Sequence, residues 1–237
     1  MPLKFAFLVL EEHPYGREML QIILQNNFIP KIIIQEASAV ADEERQKFYT
    51  RMAGQPRPPT IAEMAAAYGI SVRAVKNHNA DECRQMLEAL APDIVVLGGT
   101  RIIKPYILEI PARGTVNVHP GLLPWLRGSA SVGWALYKDM PVGATVHFID
   151  PSIDTGDIIL REELPVYRHD TYETLNYRVT YLAAELMART LVFFDDGEIP
   201  RLPQDLSAGE TLRVIPEDLL AEGIARLREG RYSHFAD

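Results

Sequence analysis

Two short stretches of this chain concentrate side chains able to hold or move a proton. The first is Asn117-Val118-His119-Pro120, followed by GLLPWLRG; the second is His147-Phe148-Ile149-Asp150-Pro151-Ser152-Ile153-Asp154-Thr155-Gly156. Asn117 and His119 are two residues apart, so on an extended strand their side chains point the same way. Burying an amide and an imidazole in an apolar strand is costly unless each finds a partner. They could be structural, the amide tying down a loop and the imidazole satisfied in the core. Alternatively they face a ligand, since strand ends of doubly wound sheets open onto a crevice and LLPWLRG is turn-rich enough to fold over it. Two His and two Asp also raise a metal-dependent hydrolase reading for His119, His147, Asp150 and Asp154. No H-x-x-x-H or comparable pairing supports it, so no metal is expected. Asp150-Pro151 reads as a turn initiator. Ser129 and Ser131 lie outside any G-x-S-x-G, Trp125 and Trp134 read as packing or loop anchors, and Cys83 has no motif around it.

Elements that would position these residues are legible around them. Lys4–Leu10, Ile29–Gln35, Ser71–Val75, Asp93–Gly99, Thr115–His119 and Ala144–Ile149 read as strands. Helical patterns occupy Gly16–Asn26, Asn79 or Asp81 to Leu90, Ser131–Lys138, Tyr172 to about Phe194, and Pro216–Arg228. Thr60 and Glu63 make a capping box for a helix that Gly69 ends, and Asp170 with Glu173 suggests another cap. Glu36–Pro59 reads as a long surface loop with a helical piece around Asp42–Tyr49. Strands alternating with helices predict an α/β fold built on a mostly parallel sheet with helices on both faces. Residues 1–197 would form the main domain and residues 198–237 a short C-terminal extension.

Composition bounds the possibilities. The 237 residues carry a formal charge of −8 and one cysteine. That excludes a disulfide framework or thiolate cluster and argues against a general nucleic-acid-binding module. No run approaches a membrane span, and a cytoplasmic location is expected. No G-x-G-x-x-G and no phosphate-cradling G-x-x-x-x-G-K-[ST] occurs; the first strand leads into EEHPYGRE, with one glycine.

NVHPGLLPWLRG followed by GATVHFIDPSIDTGDII resembles the family of formyltransferases that use 10-formyltetrahydrofolate, in which N-x-H-P-[SG]-L-L-P precedes D-x-G by about 35 residues. The resemblance runs from about Pro92 to Val166 and more loosely back to the first strand. It implies a Rossmann-like sheet, catalytic roles for Asn117, His119 and Asp154, and folate binding along Gly98-Gly99-Thr100-Arg101-Ile102-Ile103. A pterin slot would be walled by Leu97, Gly99, Arg101, Ile102 and Ile103 and bounded by Phe148 and Asp150. An amine would attack the formyl carbon; Asn and protonated His would stabilise the oxyanion, and a His set by Asp154 would carry the proton.

The acceptor is approached by elimination. The first turn lacks the glycine-rich phosphate turn of the glycinamide ribonucleotide enzyme. The loop 36–59 nearly cancels its own charge, unlike a tRNA-gripping arm, and about 40 residues after the long helix are too few for the tRNA enzyme's barrel. The formyltetrahydrofolate hydrolases carry an N-terminal regulatory domain, whereas here the first strand begins near residue 4. A small-molecule amine, foremost a nucleotide-linked amino sugar, is the expected acceptor, with no nucleic-acid or membrane partner. The tRNA-type and glycinamide-ribonucleotide-type acceptors stand as alternatives, as does a non-catalytic folate binder. Arg127 is the expected diphosphate ligand, with Arg101 or a basic residue of 36–59 as second choice.

Overall fold

β-Branched and apolar runs become the middle of one sheet in a computed structural model that describes residues 3–237. β1 (Phe5–Leu10) leads through α1 (Pro14–Gln25) to β2 (Ile32–Glu36). Then come α2 (Ala39–Arg51), α3 (Ile61–Tyr68), β3 (Ser71–Val75), α4 (Asp81–Leu90) and β4 (Ile94–Leu97). A short α5 (Pro105–Leu108) precedes β5 (Thr115–His119), β6 (Leu126–Gly128), α6 (Ser131–Lys138) and β7 (Gly143–Phe148). The chain finishes with β8 (Ile158–Glu163), α7 (Tyr172–Asp196), β9 (Glu210–Leu212) and α8 (Glu217–Arg228).

Seven strands form the main sheet in the order β3-β2-β1-β4-β5-β7-β8. The pairs among β1 to β5 are parallel, whereas β7 runs antiparallel to both β5 and β8. Alternation along each strand sorts side chains to two faces. Phe5, Phe7, Val9, Val96, Val116, Val118, Val146 and Phe148 pack in one core with residues of α1 and α7. Ala6, Leu8, Val95 and Leu97 pack in a second core with Cys83 and Leu87 of α4 and Ile107 and Leu108 of α5. Asn117, His119 and His147 belong to this second face, because Leu97 pairs Asn117 and Asn117 pairs His147 in register. Burial pushes the Cys83 thiol up to about 12, so it stays a protonated core side chain.

Local chemistry explains the helix limits and two departures from expectation. The Thr60–Glu63 capping box forms as read, and Gly69 ends α3 in the left-handed region at φ 66°. The long helix α7 starts at Tyr172 as expected, but its cap is Thr171 with Thr174, one residue beyond the expected Asp170–Glu173 pair. Asp170 is otherwise engaged: it accepts from the Tyr167 amide at 2.8 Å and pairs with Arg178. Much of the expected loop 36–59 is the 13-residue helix α2, capped by Ser38, which accepts from the Ala41 amide at 3.2 Å. Only Ala41 of that helix is buried, so its cap and its Lys47–Glu43 pair at 2.7 Å substitute for an apolar stripe.

Residues 198–237 lie against the body. Parallel β6 and β9 form a second, two-stranded sheet. A third cluster joins Leu136 of α6, Leu175 and Val179 of α7, and Leu227 and Tyr232 of the chain end. Among the described residues, no helix is long and apolar enough to cross a membrane.

Candidate active site

The end of β5 brings the expected residues together. His119 is 2% exposed, and its Nδ1 lies 3.3 Å from Asp154 Oδ2. Its Nε2 is 2.7 Å from the Leu126 carbonyl and 3.1 Å from Ser131 Oγ. A nitrogen that close to a carbonyl must carry the hydrogen, which assigns the neutral tautomer as Nε2–H and leaves Nδ1 free to take a proton beside the carboxylate. Asn117 is half-buried two residues earlier on the same face, and among the described residues its amide makes no side-chain hydrogen bond. Tyr15, at the first turn of α1, donates to the Val118 carbonyl at 2.8 Å and so fixes the backbone between the two. Burial and the nearby Asp154 charge hold that phenol protonated.

Asp154 sits between two imidazoles. Its Oδ2 accepts from the Gly128 amide at 2.8 Å, while Oδ1 lies 3.6 Å from His147 Nε2. His147 is fully buried, and its Nδ1 lies 2.9 Å from the Phe148 carbonyl, so Nε2 faces the carboxylate as a second acceptor and finds no partner. Burial first, then the neighbouring His119, push its pKa down to about 4 against the pull of Asp154, keeping it neutral at pH 7. Asp150 turns away, accepting from the Ser152 amide at 3.0 Å and from Thr155 Oγ1, as a turn initiator should. The described residues contain no group of three or more His, Cys, Asp or Glu arranged to hold a metal ion.

The expected folate stretch divides. Leu97 and Ile103 are buried in the second core, and Ile149 packs against them; together they make an apolar wall beside Asn117. Gly98 permits the bend that follows, since a Cβ there would lie 2.1 Å from the Phe7 ring. Gly99 takes φ 85° while its carbonyl accepts from the Leu10 amide at 2.9 Å. Ile102 is 76% exposed at the tip of this loop, an apolar side chain left facing solvent. Arg101 is drawn sideways into an ion pair with buried Glu36 at 2.6 Å.

Two expected residues are placed differently. Phe148 points to the opposite face, where its ring meets Phe194 edge-on at 6.0 Å; strand alternation puts Ile149, not Phe148, on the ligand side. Arg127 is not a free cation on a loop. Its guanidinium is buried and donates to the carbonyls of Pro124 at 2.9 Å, Leu206 at 3.3 Å and Gly209 at 3.0 Å and to Thr211 Oγ1 at 3.3 Å. Four of its five donors are spent on the chain itself, so it holds structure rather than a substrate phosphate. The Gly128 amide and Gln204, which touches the Asp154 backbone, escaped the sequence reading.

The formyl transferase family model matches residues 3–191. The chain belongs to this family. Methionyl-tRNA formyltransferase of Koribacter versatilis is 42% identical over 148 residues, 61% of this chain and 47% of that protein. This formyl transferase chain thus spans about half the length of that curated relative. Glycinamide ribonucleotide transformylase 1 of Symbiobacterium toebii shares its fold, with a TM-score of 0.65 at 20% identity, covering 85% of this chain and 94% of that one. So does the formyltransferase PseJ of Anoxybacillus kamchatkensis, solved with UDP-4,6-dideoxy-4-formamido-L-AltNAc and tetrahydrofolate. Its TM-score is 0.57 at 22% identity, covering 89% of this chain and 86% of PseJ.

Proposed function

We propose that the chain transfers a formyl group from 10-formyltetrahydrofolate to a primary amine, and that Asn117, His119 and Asp154 carry the step. The observation that supports this most is the 3.3 Å approach of His119 Nδ1 to Asp154 beside the uncommitted Asn117 amide. The wall of Leu97, Ile103 and Ile149 offers an apolar slot suited to a pterin, with the backbone of residues 98–103 at its edge.

In this reading the acceptor nitrogen forms a bond to the formyl carbon, and the carbonyl electron pair moves onto oxygen. The Asn117 amide donates to that oxygen, a well-placed donor contributing about 2.7–4 kcal/mol, and protonated His119 sets its positive charge beside it. Asp154 stabilises the imidazolium and orients it. Collapse of the adduct breaks the carbon–N10 bond; the amine's proton leaves and N10 gains one, His119 or a water serving as carrier.

The acceptor favoured by similarity is methionyl-tRNA, the substrate named for the relative that is 42% identical. This displaces the nucleotide-linked amino sugar from first place and sets aside the expectation of no nucleic-acid partner. One observation keeps the small-molecule reading in play: Arg45 and Lys47 of α2 are taken up by Asp42, Glu11, Glu43 and Glu44, leaving them poorly placed to grip a phosphate backbone. The test is a competition assay with 10-formyltetrahydrofolate and three acceptors: methionyl-tRNA, a panel of nucleotide-linked amino sugars, and glycinamide ribonucleotide. Formylated product from any of them supports the transfer. Efficient use of a sugar with none of tRNA reverses the acceptor order, and no transfer with no folate binding at millimolar concentration overturns the reading.

A further inference from the structure

Asp154 occupies the left-handed region at φ 54°, a conformation that costs an aspartate roughly 1 kcal/mol or more and so needs support from its surroundings. Two contacts supply it, and both come through the C-terminal segment. Gln204 spans the turn: its side-chain amide donates to the Asp154 carbonyl at 3.0 Å and to the Gly156 carbonyl at 2.6 Å. The backbone on either side of Gln204 is itself tied down. Leu202 exchanges both backbone hydrogen bonds with Ile158, each 2.9 Å, and Arg127 holds the carbonyls of Leu206 and Gly209.

The second contact is the Gly128 amide on the Asp154 carboxylate. Gly128 is the last residue of β6, which is held by pairing with β9, and the Ser129 amide donates to the Leu212 carbonyl at 3.0 Å. At Gly128 φ is 96°, and a Cβ would stand 2.1 Å from the Leu212 oxygen, so the two strands can approach only with glycine there. Backbone and carboxylate of Asp154 are therefore both set by residues 202–212.

We propose that Gln204 is a positioning residue for the transfer, and that the segment from Leu202 to Leu212 completes the active site by holding Asp154 in line with His119. This rests on the catalytic reading of Asp154 given above. Gln204 touches no reacting atom; it acts through the carboxylate's position.

The test uses the full chain with Gln204→Met, which keeps the volume and removes both donors, and the acceptor identified by the competition assay. Gln204→Met is expected to lower kcat about tenfold or more, since small displacements of a catalytic group are expensive. The Michaelis constants of donor and acceptor should stay within about twofold, and so should the further effect of Gln204→Met in an Asp154→Asn background, because coupled residues are not additive. Hydrogen exchange read by mass spectrometry should quicken at residues 150–157 well beyond any change in β1 and β4. Unchanged exchange at 150–157, or equal kcat losses in both backgrounds, overturns the positioning role. Should Asp154→Asn alone leave turnover intact, the catalytic reading of Asp154 falls, and the role assigned to Gln204 falls with it.

Discussion

Thr145 stands directly across the antiparallel β5–β7 ladder from His119, and its hydroxyl pins the loop that closes over that imidazole. Thr145 Oγ1 donates to the Gly121 carbonyl at 2.7 Å and accepts from the Leu123 amide at 3.1 Å. The same loop supplies the Leu126 carbonyl that fixes the His119 tautomer. Replacing the hydroxyl by a methyl leaves two buried backbone groups unpaired. Thr145→Val should destabilise the protein by about 1–3 kcal/mol in urea unfolding and lower kcat. Stability equal to the parent's would show that the loop does not depend on this hydroxyl.

Asn117→Ala, His119→Ala and Asp154→Asn should each reduce turnover by about a hundredfold or more. Circular dichroism and the thermal midpoint should report an intact fold. Near-full formyl transfer by the His119 variant would remove it from the mechanism.

Arg127→Ala should act on folding rather than on substrate affinity. Removing the guanidinium orphans the carbonyls of Pro124, Leu206 and Gly209, at a cost of about 2–4 kcal/mol. Denaturant titration measures it. A rise in the acceptor's Michaelis constant at unchanged stability would restore Arg127 as a phosphate ligand.

Stability should fall in mild acid. The pKa of His13 and that of His147 are each pushed from 6.5 down to about 4, chiefly by burial. Both groups are neutral in the folded chain where the unfolded chain takes up protons, so their contribution is fully present above about pH 6.5 and is lost as pH falls toward 4. The thermal midpoint followed from pH 7 to pH 4.5 tests this, and His147→Gln should flatten the slope. A midpoint that rises over that interval contradicts it.

The sheet was readable because β4, β5 and β7 are short runs of β-branched and apolar residues, and α6 is marked by its apolar spacing between them. That Asn117, His119 and Asp154 could meet at one strand end was legible from spacing joined to the family resemblance. α2 escaped as a full helix because it is polar nearly all round, so no periodicity betrays it. β6 and β9 are three residues each, too short to show alternation, and each exists by pairing with the other. Phe148 was expected to bound the pterin slot, whereas strand parity from His147 puts its side chain in the opposite core, against Phe194. Gln204 carried no signal at all: its partners lie 50 and 48 residues away, a proximity that follows from tertiary folding alone.

The pairing of β6 with β9 also imposes an order of events on synthesis. Arg127 meets Thr211, which lies 84 positions further along the chain. At about 5–20 residues per second on the ribosome, β6 waits roughly 4–17 s after it is made before its partner strand exists. Once β8 is made, all seven strands of the main sheet exist, while the turn bearing Asp154 still waits for Gln204 and for the strand that fixes Gly128. The supports of the Asp154 carboxylate are thus among the last parts of the described fold to be synthesised.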